Sequence, residues 1–91
     1  MINAVKIIEK KKHKLIVEIE GDKHTIPNLV VDELYNDSDI KAASYYYEHP
    51  LQNTARIIVE TKTKDPQKAL IDAITRLERR YKEIRKKISE V

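Results

Sequence analysis

The chain has 91 residues, with 18 Lys and Arg against 15 Asp and Glu, and a formal net charge of +3 at pH 7. A chain this short buries only about 60–65% of its unfolded surface, so its core leaves a narrow stability margin that a partner would widen. It has no cysteine and one glycine, Gly21, which excludes disulfides, thiolate metal sites, a cysteine nucleophile and glycine-rich nucleotide loops. No segment reaches the roughly 20 apolar residues of a membrane span or resembles a signal peptide, so we predict a cytoplasmic protein without membrane contact.

Two runs rich in β-forming residues, 2–9 and 15–20, flank the basic stretch 10–14 and predict an antiparallel hairpin. In the second run Leu15, Val17 and Ile19 alternate with other residues, which is the period of a strand with one dry face. We expect helices to cover that face. The stretch 10–14 is most simply a solvated turn because its like charges repel, although a contact with nucleic acid is an alternative.

A short helix is predicted to begin at Thr25 and to end before the polar residues 36–39. The Thr25 hydroxyl is the expected N-terminal cap, and Pro27 lies in the first turn, where a missing N–H costs little. Positions at spacings of three and four form a mostly apolar stripe toward the sheet: Ile26, Leu29, Val30, Glu33 and Leu34.

The entrance of this helix carries a histidine, a hydroxyl and an amide: His24, Thr25 and Asn28. Such groups can bind the free backbone N–H groups of the first turn, so capping is the simplest interpretation. Asn28 is a poor helix former, which suggests a side-chain hydrogen bond to a neighbouring strand or to a partner. An interface role is therefore the alternative.

A second hairpin is predicted from strands at 40–48 and 56–62. Successive strand residues point to opposite faces, so Tyr45 and Tyr47 should share one face and Tyr46 should lie on the other. At least one of these rings is expected near solvent or a partner.

Asp65 and Pro66 provide a cap and a proline for the start of a long carboxy-terminal helix. Its apolar residues recur at spacings of 4, 3, 4, 3 and 4: Leu70, Ile74, Leu77, Tyr81, Ile84 and Ile88. This repeat is typical of a helix that packs on another helix. The helix should span about 39 Å and a seven-residue strand only about 23 Å, so the last turns should extend beyond the sheet. We interpret the repeat as a dimerisation seam.

The polar face of this helix is basic, since residues 76–90 carry seven Lys and Arg against three Glu. Glu78 with Lys82 and Glu83 with Lys87 have favourable spacing, and cations near a helix carboxyl end complement its dipole. A solvated face is thus the simplest explanation. A small nucleic-acid-binding domain is the alternative function, supported by this helix, the lysine turn and the tyrosines.

Other chemistries have little support. The histidines, His13, His24 and His49, lack metal-ligand spacing, and no serine lies in a nucleophile motif. We predict no metal, no cofactor and no catalytic residue. Residues 48–50, Glu-His-Pro, are similar to part of a pterin dehydratase motif, but the second histidine and the following tryptophan of that motif are missing.

Three segments resemble the small α-like subunit of DNA-dependent RNA polymerase, called subunit L in archaea. Residues 20–29, Glu-Gly-Asp-Lys-His-Thr-Ile-Pro-Asn-Leu, are similar to its acidic-Gly-acidic and His-Thr-Leu-Gly-Asn-Leu signature, with Pro27 in place of the glycine. Residues 43–51 resemble its Ala-x-Tyr-x-x-x-His-Pro-Leu strand end, and residues 65–70 resemble its Asp-Pro-x-x-Ala-Leu helix start. The three motifs occur in the family's order over nearly the whole chain.

The resemblance implies one α+β domain over residues 1–91, a β-β-α-β-β-α sandwich with a four-stranded antiparallel sheet and two helices on one face. It implies a heterodimer with a larger α-like subunit, D in archaea, which is the platform on which the catalytic subunits assemble. DNA would then be contacted only through the complex. The implied interface residues are His24, Thr25, Asn28 and Leu29 in the first helix, and the seam in the second.

Overall fold

Four strands and two helices follow one another in the predicted order β-β-α-β-β-α. The computed structural model describes residues 4–91. The elements are β1 (Ala4–Lys10), β2 (Lys14–Glu20), α1 (Thr25–Leu34), β3 (Ile40–Tyr46), β4 (Thr54–Thr61) and α2 (Pro66–Ser89). The two hairpins, both helices and the α+β class are therefore confirmed, while the predicted start of the first strand at residue 2 lies outside the described residues.

The strands form one antiparallel sheet in the order β1-β2-β4-β3. Strand β2 pairs with both β1 and β4, which places the two hairpins side by side and leaves β1 and β3 at the edges. Val5 lies opposite Ile19, and Ile7 lies opposite Val17. Because directly opposed residues share a face, the apolar side chains of β1 point to the same side of the sheet as those of β2.

The core lies between this face of the sheet and the two helices. The predicted alternation in β2 is confirmed, because Leu15, Val17 and Ile19 are all buried. Other core residues come from both helices and from β3 and β4: Val30, Leu34, Ile40, Ala43, Ile57, Val59, Ala69, Leu70 and Ala73. The opposite face of the sheet is more polar and carries a cross-strand ion pair at 2.9 Å between Glu18 and Arg56.

Helix α1 begins where predicted, but its N-terminal cap is not the Thr25 hydroxyl. The Oδ1 atom of Asp22 accepts hydrogen bonds from the backbone N–H groups of His24 and Thr25, at 3.0 and 2.9 Å. These bonds help to lower the pKa of Asp22, against a desolvation that raises it. The expectation for Thr25 was wrong because Thr25 is the first residue of the helix, so the cap position falls on His24, and the aspartate that binds this end lies three residues before the helix.

The free edge of β3 is covered at its centre by the residue that follows α1. The Tyr35 hydroxyl donates to the backbone oxygen of Ala43 at 2.7 Å and accepts from its N–H at 2.9 Å. These backbone groups point away from β4, so the tyrosine satisfies donors and acceptors that an edge strand otherwise presents to other chains.

The connections on either side of the second hairpin are tied to each other. Asp39 accepts hydrogen bonds from the Thr63 hydroxyl at 2.7 Å and from the Lys64 N–H at 2.8 Å, and Lys64 Nζ donates to Asp37 at 2.6 Å. The bonds from Lys64 hold the pKa values of Asp37 and Asp39 below their ordinary range. The polar residues after α1 therefore anchor the segment that leads into α2.

Candidate partner interface

Helix α2 leaves the sheet after its first half. Asp65 caps it by accepting from the Lys68 N–H at 3.3 Å, and Pro66 occupies the first turn as predicted. Its 24 residues span about 36 Å, which is more than the sheet covers. Buried positions are confined to the first half, and every residue from 78 to 91 is exposed. The predicted overhang is thus present.

The seam residues divide into a packed group and an exposed group. Leu70 is 8% exposed and Leu77 is partly buried against the core. The others are exposed to solvent: Ile74 42%, Tyr81 67%, Ile84 57% and Ile88 69%. Four large apolar side chains on one stripe of a helix form an apolar surface of the kind found at interaction sites.

This stripe is continuous with apolar side chains from two other elements. Val5 of β1 is 63% exposed, and Ile26 and Leu29 of α1 are 38% and 48% exposed. Together with Ile74, Tyr81 and Ile84 they line one groove of about 750 Å³, which we call the apolar groove. Its floor includes Val17, Ile19 and Ile57 of the sheet. Leu29 and the seam were predicted for an interface from the sequence, whereas Val5 and Ile26 were not.

The remaining predicted residues, His24, Thr25 and Asn28, are exposed at the start of α1. The His24 ring lies edge-on to Tyr47, with its Nδ1 atom 3.0 Å from the hydroxyl. Tyr45 and Tyr47 share a face as predicted, with ring centroids 6.2 Å apart. Within residues 4–91 the Asn28 side chain forms no hydrogen bond, so the bond expected to a neighbouring strand is absent; a bond to a partner stays a prediction.

A buried ion cluster holds α2 against α1. The Glu33 side chain is 1% exposed, and its Oε2 atom accepts from Arg76 Nε at 2.8 Å and from Asn36 at 3.1 Å. Arg76 also donates to the Glu33 backbone oxygen at 3.2 Å, and Arg80 Nη1 lies 2.7 Å from Oε1. The hydrogen bond from Arg76 lowers the pKa of Glu33.

This cluster corrects the assignment of Arg76 and Arg80 to a solvated face, because both contact the Glu33 carboxylate, which is buried between the two helices. The only sequence signal was an acidic residue within the apolar stripe of α1. The expected pairs of Glu78 with Lys82 and Glu83 with Lys87 are absent from the ion pairs formed within residues 4–91.

Residues 4–91 contain no cluster of three or more His, Asp or Glu side chains placed to hold a metal ion. None of the helices they form is both long and apolar enough to cross a membrane. The prominent feature of the described surface is the apolar groove.

The fold and this groove agree with a family of dimerisation domains. The model of the RNA polymerase Rpb3/Rpb11 dimerisation domain matches residues 14–87, and the chain belongs to this family. The resemblance found in the sequence is thereby confirmed.

Individual relatives are archaeal RNA polymerase subunits. The chain is 41% identical over 73 residues to subunit Rpo11 of Saccharolobus islandicus, covering 77% of each protein. It is 28% identical over 82 residues to Rpo11 of Thermoplasma acidophilum, covering 90% of this chain and 74% of the relative. The crystal structure of DNA-directed RNA polymerase subunit L from Thermoplasma acidophilum matches with a TM-score of 0.86 and 26% identity, covering 96% of this chain and 86% of that one.

Proposed function

We propose that this protein is a non-catalytic assembly subunit of a cytoplasmic DNA-directed RNA polymerase, and that it heterodimerises with the larger α-like subunit. The pair would form the platform on which the large catalytic subunits assemble. The observation that carries the proposal is the exposed seam of α2, continuous with the apolar groove, in a chain of the Rpb3/Rpb11 dimerisation family. No chemistry is assigned to the chain itself.

Burial of this surface would contribute much of the energy of such a pair. Ile74, Ile84 and Ile88 are 42–69% exposed, and full burial of such a side chain is worth roughly 2 kcal/mol. The total stability of a small domain is commonly about 5–15 kcal/mol, so a few such residues are a substantial fraction of it. The chain should therefore be more stable in the dimer than alone.

The nucleic-acid-binding alternative has weaker support. It depends on cations that are free to contact phosphates. Arg76 and Arg80 of the basic helix are instead bound to Glu33, and Lys11 and Lys14 of the lysine turn lie 3.9 and 3.7 Å from Glu9. Tight binding of DNA or RNA at low salt that falls steeply with added salt would favour this alternative, and failure to bind heparin would exclude it.

The direct test is size-exclusion chromatography with light scattering, on the chain alone and mixed with the larger α-like polymerase subunit from the same source. We expect a stoichiometric 1:1 species that melts at a higher temperature than the chain alone, because a ligand of the folded state stabilises it. A chain that remains separate from that subunit would contradict the proposal.

A pair of variants tests whether apolar burial drives the association. Ile84→Asp places a charge in the seam, while Lys86→Asp changes a charge on the opposite side of the same exposed helical turns. We expect the first variant to lose at least about tenfold more affinity, since an unpaired charge is costly to bury. Both side chains are exposed, so neither change should unfold the chain, which circular dichroism can check. Comparable losses would show that charge, rather than apolar burial, drives binding.

A further inference from the structure

The rim of the apolar groove along α2 is predominantly basic. The charged residues that line it are Glu78, Arg80, Lys82 and Arg85. Arg80 is bound to Glu33, but the ion pairs within residues 4–91 include neither Lys82 nor Arg85. Two cations therefore lie beside the exposed Tyr81 and Ile84, and no carboxylate within residues 4–91 is bound to them.

The positions of these charges along the seam matter for the choice of partner. Arg85 directly follows Ile84 and therefore flanks the seam on one side. Lys87 directly precedes Ile88 and flanks the seam on the other side. In paired helices such flanking positions face the flanks of the other helix and determine which helices pair. Glu78 lies one heptad before Arg85 on the same flank and is the one acidic residue among those that line the rim, so the rim is net positive.

We infer that the apolar groove is built for an amphipathic helix of a different chain whose apolar stripe is flanked by acidic residues. The net positive rim would attract that helix and disfavour a helix with basic flanks, since specificity arises from repulsion of the wrong partner as well as attraction of the right one. The identification of this helix with part of the larger α-like subunit rests on the proposed function. The charge preference itself rests on the geometry of the rim.

Two charge-matched variants isolate the rim. Lys82→Glu with Arg85→Glu reverses the two free cations at the groove. Arg79→Glu with Lys86→Glu reverses one arginine and one lysine that also lie in the exposed turns but do not line the groove. Both variants change the net charge equally and place one glutamate near the end of α2, so their effects on the helix dipole should be similar.

The probes are two synthetic helical peptides with the same heptad of apolar residues, one flanked by glutamates and the other by lysines. The full chain should bind the glutamate peptide about tenfold or more tightly than the lysine peptide at low salt, with a smaller ratio at high salt. The rim variant should reverse this preference, and the control variant should keep it. Equal binding of both peptides, binding of neither, or equal effects of the two variants would overturn the inference.

The same variants mixed with the larger α-like subunit separate the two proposals. If the wild-type chain prefers the glutamate peptide but does not bind that subunit, the proposed function fails and the charge preference stands. If the chain binds the subunit equally well at low and high salt, and the rim variant binds as well as the control, the charge preference fails and the proposed function stands.

Discussion

The ion cluster between α1 and α2 offers a sharp test of how the long helix is held in place. Arg76→Ala removes the Nε donor to the Glu33 carboxylate and the Nη2 donor to the Glu33 backbone oxygen, which are 2.8 and 3.2 Å long. The carboxylate remains at the same position, where its side chain is 1% exposed. The variant therefore leaves a buried charge with fewer partners, which is the costly way to break such a cluster.

The magnitude follows from what is lost and what remains. A hydrogen bond to a charged group contributes about 1.5–3 kcal/mol, and both lost bonds have the charged guanidinium as donor, although Arg76 is partly exposed. Asn36 and Arg80 still contact the carboxylate, but Arg80 is 59% exposed, so solvent screens its interaction. We expect Arg76→Ala to lower the free energy of unfolding by about 3 kcal/mol, with an uncertainty of about 1 kcal/mol.

The assay is urea denaturation of the chain alone, compared with the control Arg79→Ala on the exposed side of the same helix. The control should change the free energy of unfolding by less than about 0.5 kcal/mol. The pKa of Glu33 is lowered in the folded chain from an ordinary value of 4.5. The contribution of the ionised Glu33 to the free energy of unfolding is therefore complete above that value and is lost as the pH falls through the lower folded pKa. The difference in free energy of unfolding between wild type and Arg76→Ala should accordingly shrink in acid.

Two results would refute this reasoning. If Arg76→Ala and Arg79→Ala have equal effects near neutral pH, the buried contacts add nothing to stability. If the difference between wild type and Arg76→Ala is unchanged from neutral pH to well below pH 4, then the ionised Glu33 carboxylate is not its source. The loss of stability expected for Arg76→Ala should be accompanied by a loss of fixed orientation in the last turns of α2, because Arg76 joins α2 to α1.

Three further substitutions test the two ends of α1. Asp22→Ala should lower the melting temperature measured by circular dichroism, because its carboxylate caps the helix, whereas Thr25→Ala should leave it nearly unchanged. If Asp22→Ala and Thr25→Ala lower the melting temperature equally, the Asp22 carboxylate contributes no more to this end of the helix than the Thr25 side chain does. Tyr35→Phe should reduce the free energy of unfolding by about 1–2 kcal/mol in urea, because both backbone groups of Ala43 lose their partner. A Tyr35→Phe variant as stable as wild type would show that water replaces the hydroxyl without cost.

Much of the candidate site could be read from local patterns. The seam was visible because its spacing depends only on which residues of one helix share a stripe, and the overhang followed from comparing helix and strand lengths. The residues on the other side of the groove could not be predicted from the sequence. Val5 contributes only because β1 pairs with β2 in a register that places it opposite Ile19, and that register is a long-range property.

The helix cap and the ion cluster were misassigned for a related reason. A lone acidic residue such as Glu33 has the same local pattern whether it faces water or an arginine of another helix. Its burial depends on Arg76, which lies 43 residues later in the chain. Thr25 lies at the first position of α1 rather than at its cap, and this offset of one residue depends on backbone geometry, which residue type alone does not describe.

Hydrophobic period, composition and motif order were sufficient to predict the element order, the dry face of β2, the long carboxy-terminal helix and the family. Each of these features depends on residues close together in the sequence or on motifs within the chain itself. Strand order, the burial of Glu33 and the joining of β1, α1 and α2 into one groove were decided by the tertiary structure. Those features depend on contacts between residues far apart in the chain, and such contacts exist only after the sheet and helices have packed.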